Sequence, residues 1–147
     1  MNNWIYALSA VTGIALSLSL NTPASAQPKP GVYTPTPLSK GKVTDTLSDR
    51  DIPTGQKGFA KDYSIEVQAG DRLEIFASSE SFDTIVSLLG KDGDVVAEND
   101  DGESEGTNSL LFYRIKKPGT YTIRIQSFGG SSGGKFTLAV TRLKPVE

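Results

Sequence analysis

Apolar and polar side chains alternate in short runs along most of the chain. In YSIEV (63–67), Tyr63, Ile65 and Val67 alternate with Ser64 and Glu66, and in RLEIFAS (72–78) Leu73, Ile75 and Ala77 share one parity. A period of two places such residues on one face of a half-buried strand. The same reading covers KVTDTL (42–47), TIVSLL (84–89), GDVVAE (93–98), LLFYRI (110–115), YTIRIQS (121–127) and KFTLAV (135–140), which predicts eight strands. Glycine-containing turns, QAGD (68–71), GKDGD (90–94) and KKPGT (116–120), separate neighbouring runs and predict three antiparallel hairpins. After residue 26 no long window keeps a helical apolar period without being broken by Gly or Pro. Strands with one apolar face must bury it against a second sheet, so the expected fold is an all-β antiparallel sandwich.

The apolar run at the start is of another kind. Residues 1–26 carry no charged side chain, residues 4–20 are mostly apolar, and ASA (24–26) is a small-x-small cleavage signal. A secretory signal peptide cleaved after Ala26 is expected, with a secreted or periplasmic destination. An uncleaved anchor is the alternative, since no Lys or Arg precedes the run. Against it, Asn21, Thr22 and Pro23 interrupt the stretch and the next charge is Lys29. Residues 27–41 hold four prolines, which remove backbone donors and favour extended chain, and are expected to be a linker ahead of one domain over 42–147.

Charge and chemistry narrow the function classes. A net charge of −2 with both signs interspersed offers no footprint for nucleic acid and no basic cluster for anionic lipid, so neither nucleic-acid binding nor membrane insertion of the processed chain is expected. Cysteine is absent, so neither disulfides nor a thioether-linked lipid are available. Histidine is absent too, which removes the common nucleophile–base triads and the usual zinc sites. Ser39 with Lys40, and Ser64 with Lys61, are formal Ser-Lys pairs without a supporting motif. The expectation is a protein that is not an enzyme.

Several landmarks recur in a fixed order: AGD before a strand, FDT leading into the next, a DG turn, NDD after it, then PGTYTIRI and a closing GGKFTLAV. Together they resemble the bacterial pre-peptidase C-terminal domain over about residues 42–142. The resemblance implies a compact β-sandwich of jelly-roll type, attached in many members to secreted peptidases, non-catalytic, and in some members binding calcium or substrate. Here the segment follows a signal peptide and a linker with no catalytic domain before it, so it is expected to act on its own.

Residues 98–105 contain five carboxylates, Glu98, Asp100, Asp101, Glu103 and Glu105. Two readings stand: a solvated loop that discourages edge pairing, which comes first, and a calcium site, since calcium takes six to eight hard oxygen ligands. The loop lacks the EF-hand pattern of acids, so any site would be assembled from separate loops. The family likeness implies Asp83, Asp100 and Asp101 as ligands, with Glu98 and Asn108 as neighbours. Asp83 also has a turn-fixing reading through backbone N–H groups, and Asp71, Asp92 and Asp94 are read as turn residues. A carboxylate pair for glycoside cleavage would need one acid in an apolar pocket, unlike this polar loop.

Among the aromatics, Tyr63, Phe76, Tyr113, Tyr121 and Phe136 lie in predicted strands and are expected to fill the core. Phe128 lies beside GGSSGG (129–134), a stretch expected to form a flexible loop. There it either anchors a partner or plugs the end of the sandwich. The leading expectation is a non-catalytic module binding a protein or polysaccharide at the envelope or outside. The competing one is a regulator, inhibitor or folding aid, of a separately encoded secreted peptidase, and a third is an envelope spacer.

Overall fold

The computed structural model describes residues 33–101, 106–130 and 133–144; the expected signal peptide, linker residues 27–32, Glu103 and Glu105 lie outside these. In chain order the strands are β1 (Thr36–Pro37), β2 (Lys42–Leu47), β3 (Ile52–Pro53), β4 (Phe59–Val67), β5 (Arg72–Ser79), β6 (Thr84–Leu89), β7 (Val95–Asn99), β8 (Ser109–Arg114), β9 (Gly119–Ser127) and β10 (Gly134–Leu143). They form two layers. One sheet has the order β1-β4-β9-β6-β7 with β3 also on β4, and the other β2-β10-β5-β8.

The all-β sandwich expected from the alternation is therefore observed, with two strands more than expected. Both extra strands are two residues long, and both lie on one edge of β4, β1 parallel and β3 antiparallel. Within the stretch read as linker, Leu38 is buried and its N–H bonds the Ser64 carbonyl at 2.9 Å. Proline suits these positions because an edge strand leaves one side of its backbone unpaired.

Two of the three expected hairpins are corrected. The β6–β7 hairpin forms across residues 90–94, but β4 and β5 enter different sheets, and so do β8 and β9. Each turn is an arch that carries the chain from one layer to the other. The Gly70 N–H bonds the Ile115 carbonyl and the Ile115 N–H bonds the Asp71 carbonyl, both at 2.8 Å, so the two arches satisfy each other. By crossing over, β4 gains an eight-residue ladder with β9 and β5 an eight-residue ladder with β10. The apolar faces then meet across the sandwich instead of lying side by side in one layer.

The interior is filled by inward residues of both layers, including Tyr63, Ile65 and Val67 from β4, Leu73, Ile75 and Ala77 from β5, and Ile123 and Ile125 from β9. Tyr63 and Phe82 each approach the Phe136 ring edge-to-face, with centroids 6.3 Å apart. Phe76 departs from expectation. Its parity is opposite to that of the buried Leu73, Ile75 and Ala77, so it stands on the outer face of its sheet beside Leu110 and Ala139.

Candidate functional site

Strand registers sort the connections by end. Turns 68–71, 90–94 and 115–118 gather at one end, the arch end. Residues 48–58, 80–83, 100–101, 106–108, 128–130 and 133 gather at the other, the loop end. The expected site residues Asp83, Asp100, Asp101, Asn108 and Phe128 all belong to the loop end, and Glu98 stands one residue before the end of β7.

A network of small polar side chains builds this end. The Ser79 hydroxyl donates to the Lys135 carbonyl at 2.8 Å and accepts from the N–H groups of Ser81 (3.0 Å) and Phe82 (3.2 Å). Thr107 donates to the Ser79 carbonyl at 2.5 Å, and the Asn108 side-chain oxygen accepts from the Ser79 N–H at 3.3 Å. Thr84 and Ser109, both fully buried and on opposite sheets, share a hydroxyl–hydroxyl bond of 2.7 Å. Hydroxyls buried at a sheet junction must bond each other or nearby carbonyls, because no water reaches them. The loop end thus adds a side-chain network to its backbone bonds, whereas the two arches meet through backbone.

Glycine closes the remaining gaps. Gly130, at φ +63°, faces the backbone of Lys57, and an added Cβ would collide with the Lys57 carbonyl. A Cβ on Gly58, at φ +75°, would sit 2.7 Å from the Gly130 Cα. Within GGSSGG, Gly130 and Gly133 are thus fitted against the backbone of Lys57 and Leu47, Gly134 against the Ser81 side chain, and Gly129 has open space around it. Phe128 stands at the start of this turn with its N–H on the Asp83 carbonyl at 2.8 Å and its ring 53% exposed. The buried ring at this end is Phe82, packed on Phe136.

The expected calcium ligands share the loop end, each in its own surroundings. Glu98 accepts from the Ser87 hydroxyl at 2.5 Å on the outer face of its sheet, and the Asn108 oxygen is taken by Ser79. The Asp101 carbonyl accepts from Leu110 N–H (3.1 Å) and from the Asn99 side chain (2.9 Å). Asp83 Oδ1 is buried without a hydrogen-bond partner among the described residues, and the turn-fixing acceptor beside it is Ser79. Among the described residues no three acidic side chains come together as a cation site.

Two charged clusters were not singled out in the sequence. Lys61 reaches between the sheets to Asp45 (3.1 Å) and Asp51 (3.3 Å), and Tyr63 donates its hydroxyl to Asp45 at 2.9 Å. Burial pushes the Asp45 carboxyl up, but the Thr46 N–H, the Tyr63 hydroxyl and the Lys61 ammonium outweigh it and hold the group below its ordinary range. Burial together with Asp45 raises Tyr63. A carboxyl held ionised in this way is the reverse of a general acid. On the outer face of the other layer, Asp62 is buried beneath a bidentate Arg124 (2.8 and 2.7 Å), whose pKa that bond raises. Tyr33 covers the same carboxylate, and burial plus the Asp62 charge push its hydroxyl up to about 12. The sequence signal for this pair is that opposite charges, Asp62 and Arg124, sit in strands at positions whose neighbours alternate in the other parity.

Residues 60–127 match the family model described as bacterial pre-peptidase C-terminal domain. Over these residues the chain carries the family's signature. Two crystal structures share its fold. The pre-peptidase C-terminal domain of collagenase from Bacillus anthracis is 13% identical with a TM-score of 0.54, covering 78% of this chain and 100% of its own. PliG of Aeromonas hydrophila, a periplasmic lysozyme inhibitor of g-type lysozyme, is 14% identical with a TM-score of 0.56, covering 75% of this chain and 96% of its own. No curated protein matches this sequence. At these identities the likeness is one of fold.

Proposed function

We propose that this pre-peptidase C-terminal domain is an extracytoplasmic, non-catalytic module that binds a protein through the loop end of its sandwich. The observation that carries the reading is Phe128, a ring 53% exposed on a turn clamped by the Asp83 carbonyl and by the Gly130 approach to Lys57. An apolar ring held outward on a rigid frame loses little conformational freedom on docking, which suits an anchor. The acidic residues around it then act as a polar rim and a solvated loop. In this reading binding does not run through calcium.

The test is capture of extracytoplasmic proteins from the source organism on the immobilised domain, followed by affinity measurement on the enriched protein. Binding to one protein, weakened at least tenfold by Phe128→Ser, supports the reading. Retention on cell-wall glycan, or capture indifferent to Phe128, sinks it. Added calcium and added chelator are expected to give the same affinity.

A second reading, a regulator of a separately encoded secreted enzyme, draws on the fold shared with the A. hydrophila inhibitor. The measurement that separates the two is activity of the captured protein. If it is a peptidase or a lysozyme and stoichiometric domain slows it, regulation is the function; unchanged turnover leaves binding alone.

A further inference from the structure

The four-stranded sheet ends in β8, and half of that edge is covered. The Leu110 N–H bonds the Asp101 carbonyl at 3.1 Å, and the Leu110 carbonyl accepts from the Asn99 side chain at 2.7 Å. Ile115 points its backbone the other way, toward Gly70 and Asp71 at the start of β5. Antiparallel pairing alternates these directions, so the N–H and C=O of Phe112 and Arg114 face away from β5. Nothing among the described residues pairs with them. Phe112 is 53% exposed and Arg114 is exposed beside it.

We propose that a second copy of this chain fills this edge, with β8 pairing antiparallel to the partner's β8 about a two-fold axis through Tyr113. In this register Phe112 lies opposite the partner's Arg114, and the only backbone groups used are those left open on each copy. Both N–H and both C=O groups of the two residues then find partners, and the two four-stranded sheets become one continuous sheet. A register centred on Phe112 would instead set Arg114 against the partner's Leu110, whose backbone is already occupied.

Charge favours the same arrangement. The arch end next to β8 carries Arg72, Arg114, Lys116 and Lys117, all exposed. The loop end next to β8 carries Asp100 and Asp101. Antiparallel pairing brings the basic end of each copy alongside the acidic end of the other, twice over. Phe112 beside the partner's guanidinium adds a cation–aromatic contact.

The chain has no cysteine, so a single introduced thiol reports the register without background. Tyr113→Cys places each thiol opposite its own copy in a non-hydrogen-bonded pair, where Cα atoms are about 4.5 Å apart and a disulfide can close. Oxidation is expected to give a covalent dimer, and Thr44→Cys, on the far edge strand β2, is expected to give none. Because Tyr113 packs partly on the core, sedimentation of Arg114→Glu and Phe112→Lys supplies an independent test on surface variants with unchanged melting curves. Each is expected to raise the dimer dissociation constant at least tenfold, and raising salt from about 0.05 to about 0.5 M is expected to weaken the native dimer. The proposal is overturned by a chain that stays monomeric at millimolar concentration. It is equally overturned by a dimer indifferent to both charge variants, or by a monomer whose β8 edge instead takes up an extended segment of another protein.

Discussion

The two ends of the sandwich solve one problem in different ways. At the arch end, two chain reversals cross between layers and satisfy each other's backbone through Gly70, Asp71 and Ile115, with Ile115 buried among the core side chains. At the loop end, hydroxyls of Ser79, Thr84, Thr107 and Ser109 and the contact of Gly58 with Gly130 hold longer connections. Backbone pairing between the arches is supplemented by fewer side-chain bonds, chiefly those of Asp71 with the Gln68 N–H and with Arg142. The second end depends on many specific side chains and in return presents an exposed ring and a carboxylate-rich rim. The proposed function places recognition at the second end.

The sharpest way to break the arch end is Ile115→Ala. Removing a buried aliphatic side chain costs roughly 2–5 kcal/mol, read as a lower urea midpoint with little change in slope. Next come two glycine substitutions that set the ends side by side. Gly130→Ala meets both a positive φ and the Lys57 backbone and is expected to cost about 2–3 kcal/mol. Gly70→Ala has a positive φ but open space around it, and should cost about 1–2 kcal/mol. Equal losses in the two variants would remove the distinction between packed and open turns.

A smaller effect comes from pH. The folded Asp45 carboxyl lies below its unfolded value, so its contribution is complete above about pH 4 and is lost as the pH falls through the folded value. Asp45→Asn is expected to be less stable at neutral pH and to show a flatter acid limb than the native chain. Parallel acid limbs would show that Asp45 is not ionised through its partners. At the small end of the scale, Phe128→Ser should change stability by no more than about 0.5 kcal/mol while weakening partner binding. A large loss of stability would make Phe128 part of the frame.

Much of the architecture is legible in the alternation itself. Tyr63, Ile65 and Val67, or Leu73, Ile75 and Ala77, announce an inward face, and the family landmarks agree with the match over residues 60–127. What alternation does not specify is which layer the next strand joins. QAGD serves a hairpin and an arch equally well, and the choice was made by distant partners, β9 for β4 and β10 for β5. Phe76 departs from its expected place for a related reason: its residue type suits the core, while its parity puts it on the outer face. At the loop end the candidates stand out by their chemistry, whereas the bonds of Ser79 to the Asn108 oxygen, of Ser87 to Glu98 and of Leu110 to the Asp101 backbone carbonyl leave no trace in local spacing. The pairing of Asp62 with Arg124 joins residues on two strands that become neighbours only in the folded sheet.

Strand β10, the last in the sequence, lies inside its sheet between β2 and β5. Until residues 134–143 are available, β2 has no neighbour in its layer and β5 exposes one flank. A nascent or partly threaded chain therefore holds two unfinished edges, and closure is a late event governed by contacts far apart in sequence. Strand β10 acts as a keystone: deleting it should leave a chain that fails to close, not a slightly smaller version of the same body.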